Sequence, residues 1–184
     1  RPMSPTGLLY PKMTVVGAGL IGGSVILAAR ARGVVGEVTI VDASEAHRAR
    51  AAEIGLADHV TDDLAQAIRD ADLVVIATPV LSIGEVAAAV APHMKAGATL
   101  TDVGSTKATI AEAFRSPALA KVFAIPGHPI AGTERSGPDA GFAELFEGRW
   151  TILTPLADRE DEAYAAAVAK LSAFWRAFGA QVGL

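Results

Sequence analysis

The sequence contains no cysteine, which removes disulfides, thiolate zinc sites and cysteine nucleophiles together and suits a cytoplasmic protein. Long hydrophobic runs are absent too. The longest apolar stretch, LVVIATPVL at 73–81, is far too short to span a bilayer, and RPMSPTGLLYP at the start is not an apolar signal core, so no membrane partner is expected. Sixteen Lys and Arg stand against 20 Asp and Glu, a net charge of −4. No basic stripe appears, so the electrostatic footprint of a nucleic-acid binder is missing. His47, His59, His93 and His128 show no close ligand spacing, and no metal site is expected from them. There is no internal repeat and no low-complexity linker.

What is present is apolar mass. Over 184 residues, 51% are hydrophobic, enough for one main domain with a substantial core. Short β-rich runs at 13–17, 37–42, 72–79, 98–104 and 121–127 alternate with alanine-rich segments at 20–33, 44–55, 63–71, 82–94 and 107–114 that are long enough for helices. This alternation predicts an α/β fold: a doubly wound, mostly parallel sheet of the Rossmann type. From 128 to 148 the pattern lapses into glycine, proline and charge and reads as a loop-rich functional segment. A further strand is expected at 149–155. A last helix at 159–179 carries acidic residues in its first turn, aromatics along one face and Gly179 as its stop. The expected organisation is an N-terminal arm over 1–12 and a dinucleotide-binding domain over 13–184 that carries part of a substrate site. The chain begins at Arg1 and closes on QVGL, which looks like the start of another strand, so it reads as a piece of a longer protein.

MTVVGAGLIGGS places Gly17, Gly19 and Gly22 in G-x-G-x-x-G spacing, directly after a predicted strand and opening a predicted helix. The first glycine serves the tight turn, the second the approach of backbone to a pyrophosphate, and the third the packing of helix on strand. Leu20 and Ile21 fall inside the same turn. The second strand ends at Asp42, 20 residues beyond Gly22, where a carboxylate can bind an adenosine ribose and repel a 2′-phosphate. The expected cofactor is NAD. NADP stays possible through Arg48 and Arg50 on the next helix. Thr78 and Pro79, in ATPV at the carboxyl edge of the sheet, can line the nicotinamide side; an ordinary proline-terminated strand explains them equally well.

Two further segments leave the same edge. DVGSTK (102–107) brings Ser105, Thr106 and Lys107 there, and GHPIAGTERSG (127–137) brings His128. A lone histidine is usually structural. One at a strand end, boxed by glycine and proline and facing a predicted cofactor, is a candidate general base.

With these motifs in order, the chain resembles the nucleotide-binding domain of the prephenate and arogenate dehydrogenases, over about residues 13–155. The resemblance rests on VVGAGLIGGS, the VD pair at 41–42, ATPV, DVGSTK and GHPIAGTERSG. It implies an NAD(P)-dependent oxidative decarboxylation in tyrosine biosynthesis: prephenate would give 4-hydroxyphenylpyruvate, and arogenate would give tyrosine. It also implies that His128 bonds the ring hydroxyl and takes its proton, that Ser105 orients the imidazole, and that Glu134 shapes the pocket. Thr133, Lys107 and Arg135 then fall in the substrate region, with Lys107 and Arg135 as the local cations for a dianion; a solvated loop charge is the alternative for Arg135. Family members continue into a helical domain that forms a homodimer and adds basic residues to the site. That domain is absent here, so the chain alone is expected to turn over poorly. Two other readings stay open: a β-hydroxyacid dehydrogenase or imine reductase on the same domain type, and a dinucleotide-binding module without catalysis.

Overall fold

The structure, a computed structural model, describes residues 7–79, 82–105, 107–130 and 142–184. Strands β1 (Tyr10–Val16), β2 (Val35–Val41), β3 (His59–Thr61), β4 (Leu73–Ile76), β5 (Thr99–Asp102) and β6 (Phe123–Ile125) form one sheet. They hydrogen-bond in the order β3-β2-β1-β4-β5-β6, and every pair is parallel. Parallel strands covered on both faces read as unbroken apolar runs, and β4 is buried at all its positions. Helices α1 (Leu20–Arg32), α2 (Glu45–Glu53), α3 (Leu64–Ile68), α4 (Ile83–Val90) and α5 (Lys107–Phe114) make the crossovers. The strand order reverses between β1 and β4, which opens a crevice beyond their carboxyl ends.

Local signals explain the element ends. Gly33, at φ 65°, closes α1 in the left-handed conformation that favours glycine. Ser44 caps α2 by accepting from His47 N at 3.2 Å, and Asp63 caps α3 by accepting from Gln66 N at 3.1 Å. The last helix, α6 (Glu162–Ala177), starts on Asp161, whose carboxylate accepts from Tyr164 N at 3.1 Å. Its buried face packs Phe174 and Trp175 with Phe146 and Phe178, ring centroids 4.7 to 6.0 Å apart. The Tyr164 hydroxyl donates to Ala124 O at 2.8 Å and accepts from Leu156 N at 3.0 Å, tying α6 and the segment before it to β6. Among the described residues no helix is long and apolar enough to cross a membrane.

A second, small sheet lies beside the first. β7 (Gly127–Pro129) runs antiparallel to β8 (Trp150–Leu153), which pairs in parallel with β9 (Gln181–Gly183). This arrangement corrects three expectations. His128 sits on a strand, paired with Ile152, and not in an irregular loop. The run expected to be one strand over 121–127 is two short ones. The arm expected over 1–12 is shorter, because Tyr10 and Lys12 already pair with Val35 and Glu37 of β2 and Tyr10 is buried in the core.

Candidate functional site

A cleft of about 1430 Å³ follows the carboxyl edge of the main sheet, from Asp42 and the glycine turn at one end, past Thr78, to Ser105 and His128. The three glycines of the turn have different physical reasons. Gly17 has φ +104°, and a Cβ there would lie 2.7 Å from Ala77 O, so only glycine is tolerated. At Gly22 a Cβ would collide with the carbonyl oxygen of Gly17 and crowd Ala77 and Val15, each at 3.1 Å; the helix is seated directly on the strand. Gly19 has φ −90° and nothing within 4 Å of its would-be Cβ. Nothing among the described residues requires glycine at this position. The open space over it, at the N-terminus of α1, is where backbone can approach a ligand phosphate.

At the far end of this turn the Asp42 carboxylate is largely buried. Its Oδ2 accepts from Ala18 N and its Oδ1 from Ser44 N, both at 2.8 Å, and His47 Nδ1 stands 3.3 Å from Oδ2. A carboxylate offers about four lone-pair sites, so acceptor capacity is left on Oδ1 for a ribose hydroxyl. Arg48 Nη1 donates to the carbonyl oxygens of Asp42 at 2.9 Å and Ala43 at 3.0 Å, while Arg50 pairs with Glu53 at 2.9 Å. Of these two arginines, Arg50 lines the cleft.

The middle of the cleft holds an unpaid polar atom. Thr78 Oγ1 is buried and has no hydrogen-bond partner among the described residues, a state that buried hydroxyls ordinarily avoid. Together with the glycine cradle and Asp42, this fits a bound dinucleotide. Pro79, Leu20 and Ile21 supply apolar wall beside it.

At the other end, Ser105 is exposed and His128 half-buried, and both face the same cleft. Their loops meet at Asp102, a fully buried carboxylate at the end of β5. Its Oδ2 accepts from Gly104 N at 2.8 Å and its Oδ1 from Gly127 N at 3.0 Å. The residues before the serine and before the histidine are thus bonded to one side chain. Lys107 opens α5, but its side chain lies outside the described part, as do Thr106, Thr133, Glu134 and Arg135.

Sequence reasoning missed Asp102, His47 and Ser44. The available signal for Asp102 was a carboxylate closing an otherwise uncharged, buried strand, ahead of a glycine.

Comparison with known proteins agrees with the fold. The family model described as prephenate dehydrogenase, nucleotide-binding domain, matches residues 25–184. The cyclohexadienyl dehydrogenase of Zymomonas mobilis is 40% identical over 176 residues, which are 96% of this chain and 58% of that protein. Among solved structures, prephenate dehydrogenase from A. aeolicus in complex with hydroxyphenyl propionate and NAD+ superposes with a TM-score of 0.79 at 28% identity, covering 94% of this chain and 58% of that one. The Synechocystis arogenate dehydrogenase gives 0.78 at 27% identity, covering 93% and 58%. The chain therefore spans somewhat over half the length of these relatives. With its Rossmann-type sheet and this match over most of its length, the chain belongs to the prephenate dehydrogenase family and carries that family's nucleotide-binding domain.

Proposed function

We propose that this chain is the nucleotide-binding part of an NAD-dependent dehydrogenase that oxidatively decarboxylates prephenate or arogenate. The observation that supports this most directly is one continuous cleft that joins the Asp42 carboxylate to a serine and a histidine, Ser105 and His128. In this reading the glycine turn and the N-terminus of α1 hold the pyrophosphate, and Asp42 holds the adenosine ribose. Thr78 Oγ1 and Pro79 border the nicotinamide. When bound, the nicotinamide supplies the acceptor for the hydride that leaves the carbinol carbon of the substrate.

His128 has the acid–base role. Loss of hydride from an alcohol carbon builds positive character there, and an imidazole that takes the hydroxyl proton stabilises that transition state at neutral pH. Ser105 orients the ring. The electron pair of the bond to the ring carboxylate then completes the aromatic ring as carbon dioxide departs. Lys107 and Arg135 serve the remaining carboxylate, and Thr133 and Glu134 shape the wall around it.

The test uses the whole protein that contains this chain, mixed with NAD or NADP and with prephenate or arogenate, following reduced nicotinamide by absorbance. A rise with one substrate supports the reading and names that substrate. A rise with both identifies a cyclohexadienyl dehydrogenase of broad specificity. No rise with either, while NADH still binds, overturns the proposed reaction in favour of another dehydrogenase chemistry.

A further inference from the structure

The sheet itself has no use for a carboxylate at the end of β5. The position beside Asp102 on β4 is Ile76, equally buried, and an apolar residue there closes its strand without penalty. A charge taken out of water is costly unless donors surround it. Among the donors supplied are Gly104 N at 2.8 Å and Gly127 N at 3.0 Å. One directly precedes Ser105 and the other directly precedes His128.

Packing leaves little slack around these bonds. A Cβ on Gly104 would lie 2.5 Å from Ile83 Cδ1 and 3.1 Å from Asp102 Oδ2, and one on Gly127 would lie 2.8 Å from Asp102 O. Both segments run hard against Asp102, one on its side chain and the other on its main chain. A second tie, from Thr101 Oγ1 to Ile125 O at 2.6 Å, holds β5 to the strand just before Gly127. We propose that Asp102 is the positioning residue for the Ser105–His128 pair, one buried carboxylate that fixes the backbone entry of both side chains into the cleft. This inference rests on the reading of Ser105 and His128 as the groups that act on the substrate.

An asparagine at this position has one acceptor oxygen, and its amide group would confront a backbone donor, so one of the two segments is released. A serine offers a single oxygen on a shorter side chain and cannot reach both amides, which bond two different carboxylate oxygens. Misplacement of a reacting group by about 1 Å is enough for a loss of about 10²-fold in rate.

The experiment compares Asp102→Asn, Asp102→Ser and His128→Asn in the whole protein that contains this chain, reading kcat and KM for the cyclohexadienol, NADH affinity by fluorescence, and backbone amide exchange. Both Asp102 variants are expected to lose at least about tenfold in kcat and to keep NADH affinity within about threefold. Exchange protection should fall at Gly104 or Gly127 while the amides of β1 and β4 keep theirs. A smaller loss of kcat overturns the proposal. So does a loss matched by weaker NADH binding and by lost protection across the whole sheet, including failure of both variants to fold, because a merely structural carboxylate gives that result. His128→Asn separates the two levels. Full turnover in that variant fells the catalytic reading and this inference together, whereas an inactive His128→Asn beside an active Asp102→Asn removes the positioning role alone.

Discussion

Arg48 folds back onto Asp42: its Nη1 donates to the Asp42 carbonyl oxygen at 2.9 Å, on the same residue whose carboxylate borders the cleft. Nη1 of the guanidinium is thereby committed to backbone, and the Asp42 carboxylate brings a negative charge to this end of the cleft, where Arg50 already shares its charge with Glu53 at 2.9 Å. We expect NADH to bind more tightly than NADPH. Asp42→Ala should weaken NADH binding about tenfold, in keeping with a charged hydrogen bond of about 1.5 kcal/mol, and should narrow or reverse the preference. Fluorescence titration with both reduced cofactors reads this out; an unchanged ratio would remove Asp42 from cofactor selection.

The glycine turn offers a matched pair of substitutions with opposite signatures. Gly22→Ala drives a methyl group into the Gly17 carbonyl oxygen and should destabilise the fold by about 1–3 kcal/mol, as overpacking does. Gly19→Ala meets no atom of the described residues within 4 Å and should change stability by less than about 1 kcal/mol, yet weaken NADH binding at least about tenfold by filling the approach to the phosphates. Thermal melting and NADH titration of the two variants distinguish the cases.

Substitution of His128 by Asn is expected to lower turnover by about 10²- to 10⁴-fold while NADH affinity is kept, the scale of lost general-base help. Cofactor titration and single-turnover kinetics on the same preparation measure both. Near-normal turnover would exclude His128 from proton transfer.

The only two tyrosines, Tyr10 and Tyr164, are both buried. Burial raises the pKa of each above the ordinary phenol value by disfavouring the phenolate. The folded state therefore holds these protons longer than the unfolded chain does. Their contribution to stability is complete below about pH 10 and is lost as pH rises beyond it, at up to about 1.4 kcal/mol per pH unit for each tyrosine. Alkaline titration followed by tyrosinate absorbance and far-ultraviolet dichroism should show phenolate appearing only above the ordinary phenol range while the protein is folded; phenolate at the ordinary phenol pKa in a fully folded protein would contradict this.

Much of the arrangement is legible in the residues, and what is not has a physical reason. The glycine turn, the unbroken apolar run of β4 and the aromatic face of α6 are strong local signals, and the alternation of strand and helix follows from them. β3, β7 and β9 have three residues each, too few for any periodicity, and they form because partner strands are already in place. The run over 72–79 ends as a strand at Ile76, since Pro79 cannot donate to a ladder and the chain turns toward the cleft there. Ser105 and His128 stood out by chemistry and context. Asp102 did not, because its value lies in two backbone amides 23 residues apart in the chain, Gly104 and Gly127, a relation that no local pattern announces.

Because His128 belongs to β7 and is paired with Ile152, chain length matters at this position as much as residue identity. Side chains alternate between the two faces of a strand. Removing or adding one residue between Ile125, paired with Thr101 of β5, and His128 would turn the imidazole to the opposite face or tear the strand from β8, even with every functional residue still in place. A one-residue insertion between Ile125 and His128 is therefore expected to abolish turnover while NADH still binds, whereas an insertion in the exposed turn at 115–118 leaves the register of β7 unchanged.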